Sequence, residues 1–307
     1  MKSGSNLEKI LAKGLFAVTG ELGPPKGNDI SVIKRKADLL RGFVDAVNVT
    51  DNQKAIVRMS SLAASALVAQ MGLEPVMHMV TRDRNRIAIQ SDIFGATALG
   101  IKNMLCLTGD HQTFGNQADA KNVHDLDSIQ LIDCVRTMRD RGTLLGGEEN
   151  IEGEIKLFIG ATENPFADPF EFRATRLGKK VTAGVDFIQT QCIYDMNRFK
   201  EWMKMVQERG LHEKVHILAG VSPLNSERII LQYKKKDLPG IYIPDALIDR
   251  IVQAKAPDEE GIKVCIEQIK ELKEVKGIHG IHIMGVDIED RIAQIVERAG
   301  LLPRPKI

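Results

Sequence analysis

Apolar runs rich in Val and Ile recur along the chain at 16–20 (FAVTG), 43–49 (FVDAVNV), 75–81 (PVMHMVT), 103–108 (NMLCLT), 156–161 (KLFIGA), 186–192 (DFIQTQC), 215–221 (VHILAGV) and 278–284 (IHGIHIM). Each is short enough for a strand bounded by polar or small residues. Between them, 54–71, 84–99, 127–141, 169–183, 196–209, 226–236 and 260–275 carry apolar positions at helical spacing. A last helix is predicted over 288–299, where Ile288, Ile292, Ile295 and Val296 share a face. Strand-like runs alternating with helical segments are the pattern of βα units. Eight of them favour a closed TIM-type (β/α)8 barrel formed by one α/β domain over 1–307. An open doubly wound sheet would give much of the same alternation.

Polar residues stand at or near the ends of these runs: Glu21, Thr50, His78, Asp110, Glu163 and Gln191. In a barrel those ends converge on one face, where loops build a common pocket. Glu21 precedes Pro24-Pro25, a turn whose fixed backbone can hold a carboxylate against a ligand. Desolvated there, it would keep a proton and serve as a general acid; a capping role fits the same local sequence. Leu107-Thr108-Gly109-Asp110 places a flexible residue and then a negative charge at the next loop, or is simply a strand-to-loop turn. His78 shares a strand face with Val76 and Val80 and is either a satisfied interior histidine or a ligand-facing one. The amide of Gln191 suits a polar heterocycle, and Thr50 and Thr81 offer smaller hydrogen-bonding groups. Lys180, near the end of a helical segment, reads as a phosphate- or carboxylate-binding cation or as a solvated lysine. The polar stretch 110–126 follows a strand directly and is expected to be a long loop on the active face.

Composition narrows the classes further. The 307 residues are 43% hydrophobic and 27% charged, within the ordinary globular range, and the formal charge is +1. Such a balance gives no general signal for nucleic acid or anionic membranes. Lys234-Lys235-Lys236 reads as solvated surface. No apolar stretch is long enough for a membrane span, and no secretory leader is evident, so a cytoplasmic protein is expected. Cys106, Cys134, Cys192 and Cys265 are dispersed, without a CxxC pair, and are expected to be reduced and packed in the interior. No HExxH or comparable spacing announces a metal site. Neither GxGxxG after a strand nor GxxxxGK[ST] is present, which removes the usual support for a Rossmann or P-loop fold.

The ordered set of motifs resembles the methylenetetrahydrofolate reductase family over nearly the whole chain. It comprises Glu21 with Pro24-Pro25-Lys26, the segment ending at Thr50, PVMHMVT around His78, LTGD ending at Asp110, KKVTAGVDFIQTQCIYD from Lys179 to Asp195, and LAGVSPLNS from Leu218 to Ser226. The resemblance implies an eight-stranded barrel with a bound flavin, FAD or FMN, and tetrahydrofolate as substrate. By it, Glu21 donates a proton during folate reduction, and Asp110 lies near flavin and folate and tunes them. Thr50, His78 and Lys180 match flavin-binding positions, and Gln191 a folate-contacting one. Hydride would pass between flavin N5 and the one-carbon unit of methylenetetrahydrofolate, with protonated Glu21 aiding opening of the bridged folate to an iminium.

Several positions depart from the NADH-using pattern. Thr108 stands where an arginine is familiar, Glu227 where an aromatic stacks, GATENP lacks a tyrosine, and Met284 replaces another. These changes make FMN, or reduction by an iron-sulfur or zinc-containing redox partner subunit, credible beside NAD(P)H. Four separated cysteines predict no iron-sulfur cluster in this chain, and an oligomer is expected. The alternatives are a flavin-independent pterin methyltransferase and a non-catalytic folate-binding subunit of a redox complex.

Overall fold

In the computed structural model, which describes residues 1–147, 150–224, 230, 241–285 and 288–307, all eight apolar runs form strands. They are β1 (Ala17–Leu22), β2 (Ala46–Val49), β3 (Pro75–Val80), β4 (Asn103–Leu107), β5 (Phe158–Glu163), β6 (Phe187–Cys192), β7 (His216–Val221) and β8 (Ile278–Ile283). Neighbours in sequence are neighbours in space, every pairing is parallel, and β1 closes on β8 through Ala17↔Gly280 to Gly20↔Ile283. The sheet is therefore a barrel, and the doubly wound alternative is excluded.

Helices cover its outside: α1 (Asn6–Ala12), α2 (Ile30–Leu40), α3 (Ser61–Gln70), α4 (Arg86–Ala98), α5 (Ser128–Arg141), α6 (Arg173–Ala183), α7 (Met196–Glu208), α8 (Asp245–Val252), α9 (Pro257–Lys273) and α10 (Glu289–Arg298). Several begin where a short polar side chain accepts a first-turn N–H: Asp29, Ser60, Asn85, Asp127 and Asp195. Outward strand residues such as Val18, Val47, Met77, Met104 and Ile188 pack with the helices in the main apolar core. Cys106, Cys134, Cys192 and Cys265 are all buried free thiols.

Three helices, α1, α2 and α8, were not foreseen from spacing. The segment 54–71 becomes α-helical only at Ser61, because Asn52, Lys54 and Ala55 adopt left-handed φ of 44°, 56° and 54° and break the run. Apart from Ile230, the expected helix 226–236, with Ser226, Glu227 and Lys234-Lys235-Lys236, and the preceding Asn225 lie outside the described residues. The tail after the last helix is tied down: Arg304 donates to Asp45 and, at 2.8 Å, to the Phe16 carbonyl.

Inside the barrel, alternate residues of each strand point inward. The lowest inward layer is apolar: Ala17, Ala46, Val76, Leu105, Phe158, Phe187 and Leu218 cluster with Leu7, Ile10 and Leu11 of α1, which plugs the N-terminal end. Phe158 and Phe187 stack at 5.1 Å between centroids. Gly160 makes room for this, since a Cβ there would fall 2.2 Å from the Phe187 ring. The floor of the barrel is thus closed, leaving the C-terminal end for chemistry.

Candidate active site at the C-terminal mouth

Glu21 comes from the end of β1, two residues above Thr19 on the inward face and in register with Asn48 of β2. Its Oε2 accepts the Gly285 N–H at 2.9 Å from the loop after β8. Gly285 has φ of +149°, a conformation an L side chain rarely adopts, so glycine sets this N–H. The residue is part-buried. Burial pushes its pKa up, with the Glu289 carboxylate adding to the rise and the Gly285 N–H and the Lys36 ammonium opposing it. Lys36 of α2 and Glu289 of α10 form a buried pair at 2.6 Å. Neither was a sequence candidate, because nothing in the local pattern joins two helices so far apart in the chain.

Above the apolar floor lies a layer of polar side chains spanning the barrel interior. Asn48 Nδ2 is 2.9 Å from His78 Nε2 and donates to Gln189 Oε1 at 2.6 Å. Gln189 Nε2 donates to Asn48 Oδ1 and to Thr19 Oγ1, both at 3.1 Å. Thr19 Oγ1 is 2.9 Å from His282 Nδ1. All five residues are buried. Burial, and secondarily the neighbouring His282, pushes His78 down to about 3, and burial likewise holds His282 at about 3, so both rings are neutral. His78 is thus interior and networked, as the first of the two readings its sequence left open expects. Period-two alternation through 278–284 was the available signal for His282.

The rim is built by the loops after β2, β3 and β4. Thr50 is buried and its hydroxyl donates to Gln53 Oε1 at 2.7 Å. Asp51 accepts the Val80 N–H at 3.0 Å and pairs with Arg84 at 2.7 Å, tying the β2 end to the β3 end. Asp110 is exposed; its carboxylate accepts the Lys54 N–H at 2.8 Å, and its carbonyl accepts Arg82 Nη1 at 2.9 Å. It thereby anchors the left-handed 52–55 turn. Val57 N–H donates to Asn116 at 3.0 Å, so the 110–126 loop packs on the same turn. Arg82 also grips Asp83 through two nitrogens at 2.8 Å, placing a guanidinium beside Gly109 and Asp110. Thr108 accepts the Ser128 N–H at 3.2 Å at the start of α5.

Gln191 follows Gln189 on the inward face of β6, higher in the barrel and part-exposed. Lys180 is placed differently from a free phosphate-binding cation. Its ammonium is buried between α6 and the β5 end, bonded to the Thr162 carbonyl and to Glu163 at 2.8 Å. Burial lowers its pKa while Glu163 raises it, with burial the larger influence. Glu21, Thr50, His78, Asp110 and Gln191 therefore gather at one mouth, and Lys180 lies behind the β5 end.

Gln53 Nε2 and Thr81 Oγ1 are buried at this mouth without a hydrogen-bond partner among the described residues, and such atoms call for a ligand or solvent partner. No group of three or more His, Cys, Asp or Glu among the described residues is arranged to hold a metal ion, and no described helix is long and apolar enough to cross a membrane. A cavity of about 540 Å³ opens at the opposite, N-terminal end beside Lys2, His212, His216 and His279. It belongs to the face where barrel residues serve stability.

A family model described as methylenetetrahydrofolate reductase matches residues 6–300. A Caenorhabditis elegans protein named probable methylenetetrahydrofolate reductase (NADPH) is 23% identical over 258 residues, covering 81% of this chain and 36% of that protein. Methylenetetrahydrofolate reductase 1 of Schizosaccharomyces pombe is 25% identical over 234 residues, covering 75% of this chain and 36% of its own length. The chain thus spans little more than a third of the length of these curated relatives. Among solved structures, an uncharacterized Clostridium thermocellum protein described as binding two copies of 5-methyl-5,6,7,8-tetrahydrofolic acid superposes with a TM-score of 0.66. That likeness is at 14% identity, covers 97% of this chain and all of that one, and is a likeness of fold.

Proposed function

The chain belongs to the methylenetetrahydrofolate reductase family, and from that premise we propose that it is a flavin-dependent barrel interconverting 5,10-methylenetetrahydrofolate and 5-methyltetrahydrofolate. One observation carries the reading: the family match runs from α1 to the end of α10, and at the mouth of that barrel stands Glu21 with a raised pKa. The fold likeness to a protein that binds methyltetrahydrofolate is in keeping with it.

Thr50, His78 and Asp110 are the residues proposed to hold the flavin, with Lys180 supporting the β5 side, and Gln191 to meet the folate. A bound flavin supplies hydride to the one-carbon unit, or accepts it in the reverse direction. Glu21 supplies the proton. In the reducing direction its carboxyl protonates the leaving nitrogen as one C–N bond of the bridged folate breaks, giving an iminium at the carbon that receives hydride. The raised pKa favours the protonated form that a general acid needs. Asp110 brings an anion to the same rim, favouring the cationic iminium over the closed ring.

A partner redox subunit is the proposed electron source. Thr108, engaged with Ser128, supplies no cation where NADH-using members are expected to carry arginine, and Met284 is aliphatic. The test is to purify the protein with any associated chains, identify its flavin by absorbance, and mix chemically reduced protein with methylenetetrahydrofolate. Flavin reoxidation with formation of methyltetrahydrofolate is expected, and NADH or NADPH alone should reduce the protein far more slowly than the partner does. A folate-binding protein that takes up neither FAD nor FMN would refute the reading in favour of methyl transfer or a binding subunit.

A further inference from the structure

Two amide orientations satisfy the distances in the interior layer, but they do not satisfy its hydrogens equally. With Asn48 Nδ2 facing His78, its two N–H groups meet His78 Nε2 and Gln189 Oε1. The two N–H groups of Gln189 meet Asn48 Oδ1 and Thr19 Oγ1, and the Thr19 hydroxyl hydrogen has two acceptors in reach, His282 Nδ1 and the Ile281 carbonyl at 3.4 Å. Every amide hydrogen then has an acceptor. With both amides turned over, each would spend one hydrogen on the other amide, and its second would have no acceptor among the described residues. Buried unsatisfied donors are disfavoured, so the first polarity wins.

That polarity dictates the His78 tautomer: the ring must accept at Nε2, which puts its proton on Nδ1. His78 Nδ1 has no protein partner among the described residues, yet it is absent from the enclosed unpartnered atoms, and the residue keeps 8% of its surface exposed. Nδ1 is therefore the nitrogen through which the ring meets the mouth. We infer that Asn48 and Gln189 are positioning residues that lock His78 as the Nδ1–H tautomer. The ring is thereby a hydrogen-bond donor for a carbonyl oxygen or unprotonated ring nitrogen of a heterocycle in the barrel mouth. Its functional sense rests on the proposed flavin site; the lock itself does not.

Two-bond 1H–15N correlation spectra of 15N-histidine-labelled, ligand-free protein at neutral pH read the tautomers directly. His78 is expected with a pyrrole-like Nδ1 and a pyridine-like Nε2. A His78 protonated at Nε2, averaged between tautomers, or doubly protonated overturns the inference. In Gln189→Met the amide pair is gone, and His78 is expected to move to a tautomer mixture, with flavin affinity falling about tenfold, the worth of one hydrogen bond. An unaltered His78 spectrum in that folded variant would overturn the role of Gln189. Should the variant fail to fold, the wild-type spectrum still decides. The expected tautomer in a protein that takes up no flavin would uphold the lock and remove the flavin reading instead.

Discussion

Glu21 shows how a single carboxyl acquires a chemical role from what surrounds it. Burial and Glu289 favour its neutral form, while Gly285 N–H and Lys36 favour the anion, and burial is the largest influence. Glu21→Gln keeps an oxygen for Gly285 but has no proton to give at carbon–nitrogen cleavage. Its reoxidation by methylenetetrahydrofolate, followed by stopped-flow absorbance on prereduced protein, should slow by about 10²–10⁴-fold with flavin binding retained; wild-type rates would exclude the acid role. The sign of the pH dependence follows. A general acid acts while protonated, so the rate is full below the raised pKa of Glu21 and is lost as pH rises through it. Lys36→Met removes an influence that lowers that pKa, so the loss should move to higher pH. A profile that stays put or moves to lower pH would disconnect Lys36 from Glu21. Glu21 was legible in the sequence because it ends an apolar run before a Pro-Pro turn. Its electrostatic neighbours were not, since Lys36 sits among Lys34 and Arg35 and reads as one more solvated charge.

At the scale of elements, the rim depends on contacts between loops. Asp110 both carries charge and fastens the left-handed 52–55 turn through Lys54 N–H. Two variants separate these effects. Asp110→Asn keeps an acceptor for Lys54 and loses the charge; Asp110→Ala loses both. Hydride transfer should slow by about ten- to a hundred-fold in each, whereas limited proteolysis between 110 and 126 should quicken only in the alanine variant. Equal proteolysis in the two would mean that the bond to Lys54 does not hold the loop. The sequence marked 110–126 as an active-face loop from its polarity and its place after a strand. It could not mark the turn it packs on, because positive φ at Lys54 and Ala55 is imposed by tertiary contacts on residues that otherwise favour helix. Helix α2 was hidden for a related reason: its buried stripe of Ile33, Lys36, Ala37 and Leu40 contains a lysine, which pairs in the interior with Glu289.

For the whole molecule, the barrel was readable because parallel strands buried on both faces appear as near-continuous apolar runs, and the chain carries eight of them. The interior layering was less readable. Thr19, Asn48 and Gln189 look like polar interruptions until closure of β1 on β8 brings them together. Function at the mouth depends on the floor beneath, where Phe187 crosses above Gly160 and lies two residues before Gln189 on β6. Gly160→Ala would set a methyl 2.2 Å from that ring, and displacing Phe187 would drag on the strand that holds Gln189. Overpacking of this kind costs about 1–3 kcal/mol, which at ~2 °C per kcal/mol for a large domain lowers Tm by several degrees. Gly160→Ala combined with Phe187→Leu should recover most of that loss in thermal unfolding. If the single variant melts at the wild-type temperature, the floor has slack, and strain there cannot be what sets the height of the polar layer. If it melts lower and the double variant does not recover, the damage lies in the β5 backbone itself. Recovery in the double variant assigns the loss to the clash between residue 160 and the Phe187 ring.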